Sequence, residues 1–80
     1  MISDSKISIF INSEKYEVNK DRRLSYEDVM RLAGYGESMF GNFVVIDELT
    51  KEEYKYNTGV HILPRDNLSL VIYYRKHEEM

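Results

Sequence analysis

Two histidines, fourteen carboxylates and eleven basic side chains make up most of the chemical equipment of this 80-residue chain, and their spacing points away from catalysis. His61 and His77 stand sixteen residues apart with no ligand cluster beside either, so a metal centre would lack both spacing and ligand count. Each reads as an ordinary surface histidine. Asp47, Glu48, Glu52 and Glu53 form an acidic cluster that could meet a basic partner, although a solvated charged edge is the simpler account. The chain has no cysteine, which excludes thiolate nucleophiles, disulfides and thiolate-bound iron–sulfur clusters. Gly34-Tyr35-Gly36 lacks the spacing and the strand-then-helix setting of a phosphate-binding loop. No serine has a histidine and an acid arranged near it in sequence. We therefore expect neither an enzyme nor a cofactor.

Surface contact is the remaining chemistry. Seven tyrosines and three phenylalanines raise the possibility of base stacking on a sheet, with Phe10 and Tyr73 as candidates. The formal charge of -3 and the absence of an interleaved aromatic and basic run oppose nucleic acid as the partner. The first six residues lack a basic head followed by an apolar stretch, and no run approaches the roughly 18 apolar residues of a membrane helix. The expected location is the cytoplasm.

The elements that must position such a surface follow from periodicity. Eighty residues is enough for one small domain, which buries only roughly 60% of its extended-state surface. Residues 7–11 alternate, with Ile7, Ile9 and Ile11 on one face and Ser8 and Phe10 on the other. A turn over residues 12–15 and renewed alternation at Tyr16-Glu17-Val18 predict a hairpin. Residues 24–34 predict a helix. Ser25 caps it with Asp28 as the acid of a capping box, and Leu24 and Val29 form a hydrophobic staple. Tyr26, Val29, Met30, Leu32 and Ala33 supply the apolar stripe, and Gly34 ends the helix in a left-handed conformation.

Beyond a glycine-bearing loop with Met39 and Phe40 as its apolar foothold, Phe43-Val44-Val45-Ile46 reads as a substantially buried strand. Residues 47–55 read as a helical turn capped by Thr50 or, the preferred reading, as a loop leading into a short strand at Tyr54-Lys55-Tyr56, and Pro64 suits the first inner position of a β-turn. The closing strand places Leu68, Leu70, Ile72 and Tyr74 on one face, with Ser69, Val71 and Tyr73 on the other. The order is strand, strand, helix, then two or three strands. It predicts an α+β fold of the β-grasp kind, a mixed four- or five-stranded sheet with one main helix on one face, in which the first and last strands pair centrally. Residues 7–75 form the domain, residues 1–6 a flexible N-terminus and residues 76–80 a polar C-terminal tail.

Ile9-Phe10-Ile11, the segment Leu24-Ser25-Tyr26-Glu27-Asp28-Val29-Met30-Arg31-Leu32-Ala33-Gly34-Tyr35, and Leu68-Ser69-Leu70-Val71-Ile72 followed by Arg75 together resemble bacterial ubiquitin-like proteins of the multi-ubiquitin type. The resemblance spans most of residues 7–75. It implies a protein modifier handled by E1-like adenylating enzymes, E2-like conjugating enzymes and a JAB-type peptidase, in systems often associated with antiviral defence. It also implies a hydrophobic recognition patch on the sheet face away from the helix, where Val71 falls at the matching place. Phe10 and Tyr73 accompany it, with Val44 or Ile46 from the middle strand.

The resemblance fails at the tail. Arg75 leads into Lys76, His77, Glu78, Glu79 and Met80, with Lys76 and His77 where conjugating members carry paired glycines. Glycine suits such a terminus because the tail must thread a narrow channel in conformations that a Cβ restricts. Three readings stay open: a non-conjugating adaptor domain, one repeat of a longer protein, or a divergent system accepting another terminal residue.

Overall fold

The computed structural model describes residues 6–75. Strand β1 (Lys6–Ile11) and strand β2 (Glu14–Asn19) form an antiparallel hairpin. Its turn is tighter than the sequence pattern implies, since Asn12 and Ser13 alone make it, with φ of 53° and 71°. Two left-handed residues in succession match the twist of the flanking strands, and Asn tolerates that region well. Glu14 and Lys15 consequently join the strand.

Strand β3 (Leu24–Ser25) pairs antiparallel with β6 (His61–Ile62), forming a small second sheet beside the helix. Helix α1 (Tyr26–Leu32) begins at the expected Ser25 cap: the Asp28 N–H donates to Ser25 Oγ and the Ser25 N–H to Asp28 Oδ2, both at 3.0 Å. The helix stops at Gly34, whose φ of 92° is open to glycine without strain. Tyr26, Val29 and Met30 are buried, and Ala33 packs against them at the next turn of the stripe. Leu32 departs from expectation because it lies off the i, i+3, i+4, i+7 row and stays 36% exposed.

A 3-10 turn (Glu37–Met39) leads to β4 (Phe43–Asp47), then β5 (Glu53–Tyr54), β6 and β7 (Leu68–Tyr74). The main sheet has the order β2-β1-β7-β4-β5, with β1 and β7 parallel at its centre and the other neighbours antiparallel. The first and last strands therefore pair as predicted. Five mixed strands and one helix make an α+β fold compatible with a β-grasp-like arrangement.

One face of the sheet carries the core. Ile9 and Ile11 from β1, Val45 from β4, and Leu68, Leu70 and Ile72 from β7 pack with Tyr26, Val29 and Met30 of the helix, and Leu24 and Ile62 close one end. The Tyr26 hydroxyl donates to the Phe43 carbonyl at 2.7 Å and accepts from the Gly41 N–H at 3.3 Å, so a buried aromatic ring also satisfies loop backbone. Phe40 stacks edge-on against Tyr26 with ring centroids 5.9 Å apart, which makes it rather than Met39 the foothold of the loop.

Three expectations are corrected. The β4 run is buried on one side only, since Val45 and Asp47 are buried while Val44 and Ile46 are half-exposed. Continuous apolarity here reflects two faces with different tasks. The short strand is Glu53–Tyr54, and Tyr56 instead joins the Tyr26 and Phe40 rings. Pro64 is buried ahead of the turn, whose inner residues are Asp66 and Asn67, closed by the Leu68 N–H donating to the Arg65 carbonyl.

Candidate functional site

The register of the sheet determines what its open face presents. Val44 pairs with Tyr73 and Ile46 with Val71, so these four side chains form a block two residues wide and two long on the side away from α1. Phe10 pairs with Ser69, which places it on the same face, diagonally beyond Val71. None of the five belongs to the helix-side core or packs against it. Phe10, Val44, Ile46 and Val71 are half-buried, and Tyr73 is 51% exposed. The sequence-predicted surface residues Phe10, Val44, Val71 and Tyr73 are thus brought together, and Ile46 belongs with them.

Strand alternation produces this grouping. Each β4 and β7 residue that enters the core sends its neighbour outward, and apart from Ser69 the outward places are filled by apolar or aromatic types. A contiguous apolar block on the surface is a usual mark of a contact site. Its rim is charged. Lys15 lies opposite Phe10 and Glu17 opposite Ser8 on the β2 side. On the far side Glu53 lies opposite Ile46, and the Ser69 hydroxyl donates to Glu48. The β4–β5 margin is therefore acidic, which disfavours phosphate backbones along it.

Asp47 does not belong to that acidic edge. It is 1% exposed and accepts from the Leu49 N–H at 2.9 Å, the Thr50 N–H at 3.3 Å and the Arg65 guanidinium at 3.0 and 3.2 Å. Burial by itself would raise its carboxyl, but the Arg65 and backbone donors outweigh burial and hold it below the usual carboxylate range. Its role is to lock the β4–β5 turn to the segment before β7. This pair was missed in the sequence, although Asp-Glu-Leu-Thr after an apolar strand carries the signal of an Asp side chain closing a turn. Nearby, burial and then the hydrogen bond donated to Glu52 push the Tyr54 hydroxyl up to about 12.

No protein-family model, curated protein or solved structure matches the chain.

The remaining candidates are dispersed. His61 is exposed on β6, and among the described residues no three His, Asp or Glu side chains are grouped to hold a metal. Arg75 continues past β7, its N–H donating to the Asn42 carbonyl at 2.6 Å, and alternation puts it on the Tyr73 side. Lys76, His77 and Met80 lie outside the described residues. Gly59, the last glycine in the sequence, precedes both β6 and β7. Cleavage after it would remove the central strand of the sheet, so trimming within this sequence cannot present a glycine terminus on an intact fold. Among the described residues no helix is long and apolar enough to cross a membrane.

Proposed function

We propose that this chain is a ubiquitin-like β-grasp module that works through protein contacts, with the open sheet face as its recognition surface. The observation that carries the reading is the register that joins Val44, Ile46, Val71 and Tyr73 into one block, with Phe10 beside it, opposite the helix. The partner class is an E1-like adenylating enzyme, on the resemblance of the first strand, the helix and the closing strand to bacterial ubiquitin-like proteins. The domain itself contributes surface. A modifier would add only its terminal carboxylate, whereas an adaptor would use the same face without covalent transfer.

The test combines the protein with an E1-like enzyme from its own genome, ATP and magnesium, and follows binding by calorimetry and adducts by intact mass. Binding that Val71→Glu abolishes supports the sheet face as the contact surface. A mass increase from thioester formation assigns the modifier role, and binding without it assigns the adaptor role. No binding, or equal binding by Val71→Glu, overturns the proposal. An RNA-binding module is the other reading of Phe10 and Tyr73. It requires a single-stranded RNA oligonucleotide to bind with a strong salt dependence despite Glu48 and Glu53 at the rim.

A further inference from the structure

The outer edge of β2 is the one long strand edge of the main sheet among the described residues, since β2 ends the sheet order and the opposite end is the two-residue β5. Such an edge offers unpaired backbone donors and acceptors to another strand. Its side chains discriminate among partners. Along β2, Glu14, Tyr16 and Val18 face the helix side, and Lys15 and Glu17 face the open side. Lys15 and Glu17 are exposed, and among the described residues neither has an ion-pair partner.

From this pattern we propose that β2 pairs antiparallel with β2 of a second copy of this chain, about a two-fold axis through Tyr16, giving one continuous sheet across both copies. A two-fold axis perpendicular to an antiparallel pair sets one residue opposite itself. Centred on Tyr16, the pairing sets Lys15 opposite Glu17 of the second copy, and Glu17 opposite its Lys15. Both contacts join opposite charges, and the Tyr16 rings meet on the other face. A shift of one residue either way sets Lys15 against Lys15 or Glu17 against Glu17. A shift of two towards Val18 carries much of the pairing beyond Asn19, where the strand ends. The Tyr16 register alone uses residues 14–18 in full and matches both charge pairs.

The helix side of the edge also fits. A cleft of about 320 Å³ opens beside Val18, and Arg22 and Leu24 are in its lining. In the Tyr16 register Glu14 of the second copy falls opposite Val18, beside a cleft whose lining holds Arg22 together with the carboxylates Glu17 and Asp28. An edge of five residues is a small interface, so the association is expected in the micromolar to millimolar range. The contact uses Lys15 and Glu17 at the rim of the open face and none of Val44, Ile46, Val71 or Tyr73.

Sedimentation equilibrium of the whole chain from about 10 µM to about 1 mM at low salt tests it. Wild type is expected to pass from monomer to dimer. Lys15→Glu and Glu17→Lys each turn both pairs repulsive and should weaken the dimer by about tenfold or more. An equimolar mixture of the two variants restores both pairs and should dimerise again, as should the double variant K15E/E17K. Both positions are exposed, and circular dichroism confirms that each variant is folded. A monomeric wild type throughout the range, single variants that dimerise like wild type, or a mixture that stays monomeric would each overturn the proposal.

Discussion

Replacing Asp47 with Asn tests whether one buried ion pair holds the β4–β5 turn and the segment before β7 in place. The Asp47 side chain is 2% exposed and the Arg65 side chain 43% exposed, so the anion is sheltered while its partner is half in water. Asn at this position retains an oxygen that can accept from the Leu49 and Thr50 N–H groups, but it loses the charge that Arg65 meets at 3.0 Å. A hydrogen bond to a charged group contributes about 1.5–3 kcal/mol, and the exposure of Arg65 places this one near the lower end. The expected loss is about 2 kcal/mol for Asp47→Asn. Asp47→Ala also removes the acceptor for two backbone N–H groups and should cost about 3–4 kcal/mol. For a domain of this size whose total stability is on the order of 4–12 kcal/mol, that is a large share.

Urea unfolding followed by circular dichroism measures these losses directly. The pH dependence has a definite sign. Because the folded-state carboxyl lies below its unfolded value, its contribution is complete above about pH 4 and is lost as pH falls through the folded-state value. Wild type should therefore lose more stability than Asp47→Asn on acidification from pH 5 to pH 2. A variant within about 0.5 kcal/mol of wild type at pH 7, or parallel acid profiles for the two proteins, would refute the assignment of Asp47 and Arg65 as a structural lock.

Three further outcomes are expected. Val71→Glu should change the urea stability by less than about 1 kcal/mol because Val71 lies outside the core, whereas Val45→Ala, one rung away on the buried face, should cost about 2–3 kcal/mol; similar losses in both would contradict the two-faced sheet. Ser25→Ala removes the side-chain half of the capping box at α1 and should cost about 1 kcal/mol by urea midpoint, and an unchanged midpoint would argue that β3 alone holds the helix start. In ultraviolet titration, a component near pH 12 should disappear in Tyr54→Phe; its persistence would exclude Tyr54 as the shifted group.

Local signals carried much of this fold. Ser25 and Asp28 announced the helix start, Gly34 its end, and the alternation of residues 7–11 and 68–74 both central strands, because capping and pleat depend on neighbours one to four residues apart. Where two constraints compete, local reading went astray. Asn12 and Ser13 close the hairpin alone because both adopt positive φ, a possibility that composition leaves open. Leu32 reads as core by type and is displaced by the angle of its row on the helix.

The candidate face divides in the same way. Alternation alone determined that Phe10 shares a side with Ser8, and Val71 with Tyr73. That Val44 stands beside Tyr73, Ile46 beside Val71 and Asp47 against Arg65 was decided only by the pairing of β4 with β7 and by the path into β7. These partners are 18 or more residues apart in the chain, and their register is set by how six core side chains of three strands fit beneath one helix rather than by any neighbour in sequence.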